Sequence, residues 1–341
     1  MRRKGAVLVT AVGVLAAGLV LYFHRNNAPQ PPAKIDDRIP LLTKLVAEQE
    51  VESAEAVANY CPKTPARIDD LTASAADLLR QLPGAVQVEV SDSAEKPTCR
   101  IVHLRDWHFV PKDLYALDLK NAHVRELSEQ EIDRLHQELL LEVEAVQFEQ
   151  MALLRCLIKH HGLKRIYSEG LTPNDLPNYK ERIGVLRDME NTQISRLRKQ
   201  LADVHELLKG IKPESERYQN AQKIEEEITD LIDQHRYRLL EIGAPGRLLI
   251  AGEIDDVLPL DDANLLEQAK PITPEGKVKL DPERLSARHD AQVKAVLEKG
   301  GFGLIVLGGA HDMSDNVRRL GQGRCEYIRV TTSRYKQFSQ E

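Results

Sequence analysis

The chain has 341 residues, room for about two domains at roughly 150 residues each. Hydrophobic residues make up 42% and charged residues 29%, so a real core can form and a wholly disordered chain is excluded. Lys and Arg number 47 against 53 Asp and Glu, and the net charge of −6 lacks the basic footprint of a nucleic-acid binder.

Residues 1–23 read as an address. Met1-Arg2-Arg3-Lys4 is a positive tip, and Gly5 to Phe23 carries no charge. As a helix that run spans roughly 28 Å at about 1.5 Å per residue, close to the hydrocarbon core of a bilayer. The run is long for a signal-peptide h-region and no clear A-x-A site follows it, so an uncleaved signal-anchor is expected, with a cleaved signal as the alternative. The positive charges precede the span, so the positive-inside rule exports the main domain to the periplasmic or extracellular side. Residues 24–34 form a Pro/Asn-rich stalk. Export permits disulfides. The cysteines are Cys61, Cys99, Cys156 and Cys325, with no C-x-x-C among them. Cys61–Cys99 is the preferred pair, and buried free thiols are the alternative.

Residues 35–98 read as a helical lead-in with a first strand. Leu41–Ala58 and Asp69–Leu82 have helical spacing, and Val86–Val90 alternates as a half-exposed strand. Residues 99–341 follow as an α/β domain. Arg100–Leu104 is its first strand. Ser128 and Glu131 fit a capping box, opening a long apolar-striped helix that Gly162 stops. Lys164–Ser168 is the next strand. At about 180–240 the pattern changes: Ile194, Leu197, Leu201, Val204, Leu208 and Ile211 are spaced as a heptad seam. Gly210–Pro213 breaks it, and Ile224, Ile228 and Leu231 resume a stripe. A two-armed helical hairpin inserted in the domain is expected, with a protein partner as one use for it. Arg247–Ala251, Leu304–Leu307 and Glu326–Thr331 read as strands, and Asp281-Pro282 opens a helix between them. The fold class is α/β, a largely parallel sheet flanked by helices.

Polar residues gather where these strands end. Arg105-Asp106-Trp107-His108 follows the first, Glu169-Gly170 the second, Gly252-Glu253-Ile254-Asp255-Asp256 the third, and Gly308-Gly309-Ala310-His311 the fourth. Parallel strands bring their carboxyl ends to one edge, where open α/β sheets bind ligands. His, Glu and Asp suit a divalent metal such as Mn, Zn or Fe, or water activation without one. His103 should be structural, as should His160-His161 at a helix C-terminus. His205 and His235 on the hairpin have no ligand-spaced partner. Asp255, Asp256, Asp261 and Asp262 read as a solvated acidic loop. The serine-hydrolase elbow, the H-E-x-x-H helix and the P-loop are all absent.

The order of these motifs resembles the EreA/ChaN-like superfamily, which includes the TraB/PrgY and TIKI proteins. That group has an early G-E-x-H, a Glu after the next strand and a late G-x-x-H. Here Arg105-Asp106-Trp107-His108 stands at the first, Ile166-Tyr167-Ser168-Glu169-Gly170 at the second and Gly308-Gly309-Ala310-His311 at the third. Arg288-His289-Asp290 is similar to the group's R-[DN] helix. Arg105 replaces the Gly and Asp106 the Glu. The resemblance implies a hydrolase-like site: His108 and His311 as ligands or base, Glu169 and Asp106 as carboxylate partners. Glu253 is a further metal-ligand candidate, and Arg288 would pair a carboxylate or hold a substrate oxyanion. Cleavage of an ester or peptide bond in a small-molecule or peptide substrate is the leading expectation. A haem or iron binder using the same cleft is the alternative, and an interaction protein acting through its hairpin is the third.

Overall fold

The computed structural model describes residues 38–63, 66–91, 96–122, 127–270 and 281–340. The predicted anchor at 1–23 and stalk at 24–34 lie outside them. No described helix is long and apolar enough to cross a membrane.

Strand β1 (Ala85–Ser91) follows helices α1 (Arg38–Asn59) and α2 (Ala75–Leu79). Strand β2 (Cys99–Asp106) leads through α3 (Lys112–Ala122) and α4 (Glu129–His161) to β3 (Arg165–Ser168). The sheet is completed by β4 (Asp256–Pro259), β5 (Phe302–Gly308) and β6 (Cys325–Thr332). The order is β1-β6-β2-β5-β3-β4. Only β1 runs antiparallel, against β6, and the remaining pairs are parallel. Because β1 joins the same sheet, the lead-in and the α/β part share one frame.

The central strands are apolar on both faces, as strands covered by helices on each side must be. Val102, Leu104, Leu304 and Val306 pack toward α4. Ile101, Ile305 and Leu307 face the opposite layer, with Val293 and Val296 from α9 (Pro282–Leu297), which follows the short α8 (Ala263–Gln268), and Val317 from α10 (Ser314–Leu320). Each such side chain contributes about 1.5–3 kcal/mol when fully buried. The predicted capping box opens α4, where Ser128 and Glu131 satisfy each other's backbone N–H groups, and Gly162 closes it. Register then sets the functional edge: Asp106 lies opposite Gly308, and Ser168 opposite both Val306 and Pro259.

Two predicted elements are corrected. Arg247–Ala251 is helical rather than a strand, the end of α7 (Glu216–Ile250) and its cap. A short apolar run does not separate a buried strand from a buried helix by periodicity. Here Gly243, at φ +67°, breaks the long helix, and Pro245 restarts it in a first turn that needs no N–H. The strand begins at Asp256, inside the supposed acidic loop. The Cys61–Cys99 pairing also fails: all four cysteines are free, Cys61 is exposed, and buried Cys99 lies opposite Cys325 across β2 and β6.

The hairpin is present. Helix α5 (Leu176–Met189) passes through a π-helical turn at Glu190–Ile194 into α6 (Ser195–Lys209), and α7 returns. Helix α6 buries no residue fully and packs chiefly on α7. On α7 the inner face belongs to Ala221, Ile228 and His235, while Ile224 and Leu231 are exposed, so the predicted second stripe is rotated. His205 meets Glu225 at 2.7 Å between the arms, and His235 meets Glu190 at 2.7 Å at their base.

Candidate metal centre

Glu169 is the hub. It leaves β3 beside the carboxyl ends of β2 and β5, and its side chain is 5% exposed. One carboxylate oxygen, Oε2, accepts the Gly308 backbone N–H at 2.8 Å. The other, Oε1, accepts from Arg288 Nη2 at 2.9 Å. His108 Nε2 lies 3.0 Å from Oε2, and His311 Nε2 lies 3.3 Å from Oε1. His108, Glu169 and His311, from three strand ends, each offer a ligand atom, and these all lie within 4.8 Å of one another.

Close approach is not hydrogen bonding here. Both Nε2 atoms are buried and neither makes a well-aligned hydrogen bond, although His108 Nε2, 3.0 Å from Glu169 Oε2, forms an ion pair with it when the ring is charged. A buried polar atom without a partner costs about 1–3 kcal/mol, so two in one place call for an explanation. The donor chemistry fits a divalent cation. Ligands about 2.0–2.2 Å from a tetrahedral ion sit about 3.3–3.6 Å apart, inside the 4.8 Å span of the three ligand atoms. Two imidazoles and one carboxylate form a familiar catalytic zinc set, with a further position left for water or substrate.

Both imidazoles are held from their far side. His108 Nδ1 faces Asp106 Oδ2 at 3.3 Å, and Gln150 Nε2 donates to Asp106 Oδ1 at 2.9 Å. His311 Nδ1 faces His289 Nε2 at 2.8 Å. Outer partners of this kind orient metal-binding rings. Arg288, on α9, donates to Asp261 Oδ1 at 2.6 Å and Oδ2 at 2.9 Å as well as to Glu169. Asp261 also accepts from Gly170 N at 2.7 Å and Gln292 Nε2 at 2.9 Å.

The electrostatics follow from this packing. Burial works against a charged His108, but Glu169 and Asp106 outweigh it and push its pKa up to about 10. Burial likewise opposes ionisation of Glu169, and His108, His311 and Arg288 overcome it and hold the carboxyl well below its usual range. Without a metal, a charged His108 and Arg288 together balance the buried carboxylates. Burial lowers His289 to about 3, with His311 and Arg288 adding to the effect, so this ring is neutral.

Of the residues singled out from sequence, His108, Glu169, His311, Asp106 and Arg288 meet. Glu253 does not, which corrects its place among the metal ligands. It follows α7 rather than a strand, and its carboxylate is taken by a bidentate pair with Arg155 at 2.8–3.0 Å. Asp261 corrects the acidic-loop reading, since it is 3% exposed and follows the true β4. Arg105 clamps the Gly309 carbonyl through Nε and Nη2 at 3.0 and 2.7 Å. It thus steadies the loop between β5 and His311. His103 is structural as expected: Nε2 meets the Leu307 carbonyl at 2.9 Å and Nδ1 meets Tyr327 Oη at 2.8 Å. His161 is likewise tied to the Ala66 carbonyl and Tyr60 Oη. Sequence reasoning missed Asp261, His289, Gln150 and Gln292 as members. The available signal was polarity at buried helix positions, with Arg288, His289 and Gln292 on one inward-facing stretch of α9.

Two cavities lie elsewhere. One of about 400 Å³ sits between α4 and α7, lined by Gln137, Leu140, Asp233 and Tyr237. One of about 340 Å³ lies at the amino edge of the sheet, beside Arg67, Lys164 and Lys299. Neither holds the converging groups, so chemistry rather than volume marks the site. The chain matches no family model, no curated protein and no solved structure in comparison.

Proposed function

We propose that the chain is a metal-dependent hydrolase of the EreA/ChaN-like kind, cleaving an ester or peptide bond. One observation carries this reading: two buried imidazole Nε2 atoms converge on one buried carboxylate, neither in a well-aligned hydrogen bond, with all three ligand atoms within 4.8 Å. His108, Glu169 and His311 would hold the ion. A divalent metal at such a site lowers the pKa of water and polarises a carbonyl. Asp106 orients His108 through its Nδ1 edge. Arg288 keeps Glu169 ionised, and its three bonds to Asp261 and Glu169 make it a holder of carboxylates rather than of a substrate oxyanion. Residues 1–23 act as the anchor that places this domain on the exported side. Protease added outside cells, past any outer membrane, should then degrade it, whereas protection until the inner membrane is lysed contradicts export.

The test is turnover of an ester and peptide panel by the full chain loaded with Zn, Mn or Fe. Loss of turnover in both His108→Ala and His311→Ala, with the fold retained, supports the hydrolase. A Soret band without turnover supports the haem alternative instead.

A further inference from the structure

A metal-binding imidazole must present a bare lone pair, and the proton it retains must sit on the opposite nitrogen. His108 has a carboxylate, Asp106, to receive that proton. His311 has none. The group at its Nδ1 is a second imidazole, His289 Nε2 at 2.8 Å, with the rings edge to face at 5.0 Å between centroids. Both are buried, at 5% and 4% exposure. His289 is held on α9 next to Arg288, which is itself fixed by Asp261 and Glu169.

When His311 is neutral, as ligation through Nε2 requires, one proton lies between His289 Nε2 and His311 Nδ1. If His289 donates, His311 carries its own hydrogen on Nε2 and cannot ligate. If His311 donates, Nε2 is bare and faces the space it shares with His108 Nε2 and Glu169. His311 Nε2, 3.3 Å from Glu169 Oε1, makes no aligned hydrogen bond there, so donation to Glu169 is not what holds the first arrangement. We infer that His289 is a positioning residue: its Nε2 accepts the His311 Nδ1–H and so delivers His311 Nε2 as a bare ligand atom for a divalent cation. The inference rests on the metal reading above and adds a residue whose role is separable from ligation.

Zinc affinity of the full chain, measured by competition with a chromophoric chelator, tests it. His289→Leu removes the acceptor and should weaken zinc binding about 10- to 100-fold. His289→Gln offers an amide oxygen to the same Nδ1–H and should recover most of the loss. A Leu variant that binds as tightly as the wild type, or a Gln variant no better than Leu, overturns the positioning role and leaves the metal site standing. A wild type that binds no zinc overturns the metal reading itself. Nitrogen-15 shifts of the imidazoles in the zinc-loaded wild type give a readout free of any variant. His311 should hold its hydrogen on Nδ1, and a hydrogen found on Nε2 overturns the inference.

Discussion

Replacing Arg288 with Leu removes the most heavily used cation of the site. The guanidinium is 1% exposed and makes three charge-assisted bonds, at 2.6 and 2.9 Å to Asp261 and 2.9 Å to Glu169. Asp261 would retain Gly170 N and Gln292, and Glu169 would retain Gly308 N, but both buried carboxylates would lose this cation. Breaking a buried ion pair from one side costs about 3–5 kcal/mol, and the leucine recovers little because the cavity is lined with polar groups. Urea denaturation with a chelator present, followed by circular dichroism at pH 7, should show a loss of that size. The sign with pH follows from Glu169. Its folded pKa is depressed, so the stability it contributes is present above its ordinary 4.5 and is lost as pH falls through the depressed value. The gap between wild type and variant should therefore begin to narrow below pH 4.5. A loss under about 1 kcal/mol at pH 7 would refute the buried network.

His108 predicts the opposite pH limb. Its folded pKa is raised, so its contribution to the metal-free protein is complete below about 6.5 and lost as pH rises through about 10. The stability difference between wild type and His108→Gln should shrink over that interval, and a constant difference contradicts the ion pair. Since the ion must displace that proton, zinc affinity should rise about tenfold per pH unit between pH 7 and 9, checked by chelator competition. Gly309→Ala would drive a methyl into the Tyr335 hydroxyl and ring, and should cost about 1–3 kcal/mol in urea denaturation. Replacing 197–229 with a short Gly/Ser turn should leave zinc stoichiometry unchanged, because α6 buries nothing in the sheet domain. Loss of the metal with the arms would contradict this.

The strand ends carrying His108, Glu169 and His311 were legible because their strands are short apolar runs bounded by turn residues. Parallel pairing then leaves no freedom about which edge they share. The capping box at Ser128 was legible for a similar reason, since its signal is local. Arg247–Ala251 was not, because a run of four apolar residues after Arg247 satisfies a buried helix as well as a strand. That one exchange hid Asp261 and promoted Glu253: moving the strand to Asp256–Pro259 carries Asp261 to the functional edge and leaves Glu253 beside Arg155. The face of α7 was misjudged because Ala221 and His235 fill the inner positions, where hydrophobicity favours Ile224 and Leu231. The outer partners His289 and Gln150 depend on helix packing angles, which no local pattern encodes.

The metal content of the full chain bears most directly on the central claim. After incubation with Zn, Mn or Fe and removal of excess, elemental analysis should find about one ion per chain in the wild type, as one three-ligand set requires. Glu169→Gln and His311→Ala should each lose it while the near-ultraviolet circular dichroism stays close to that of the wild type. A wild type that retains no ion, or a Glu169→Gln protein that retains it fully, would contradict a metal centre at His108, Glu169 and His311.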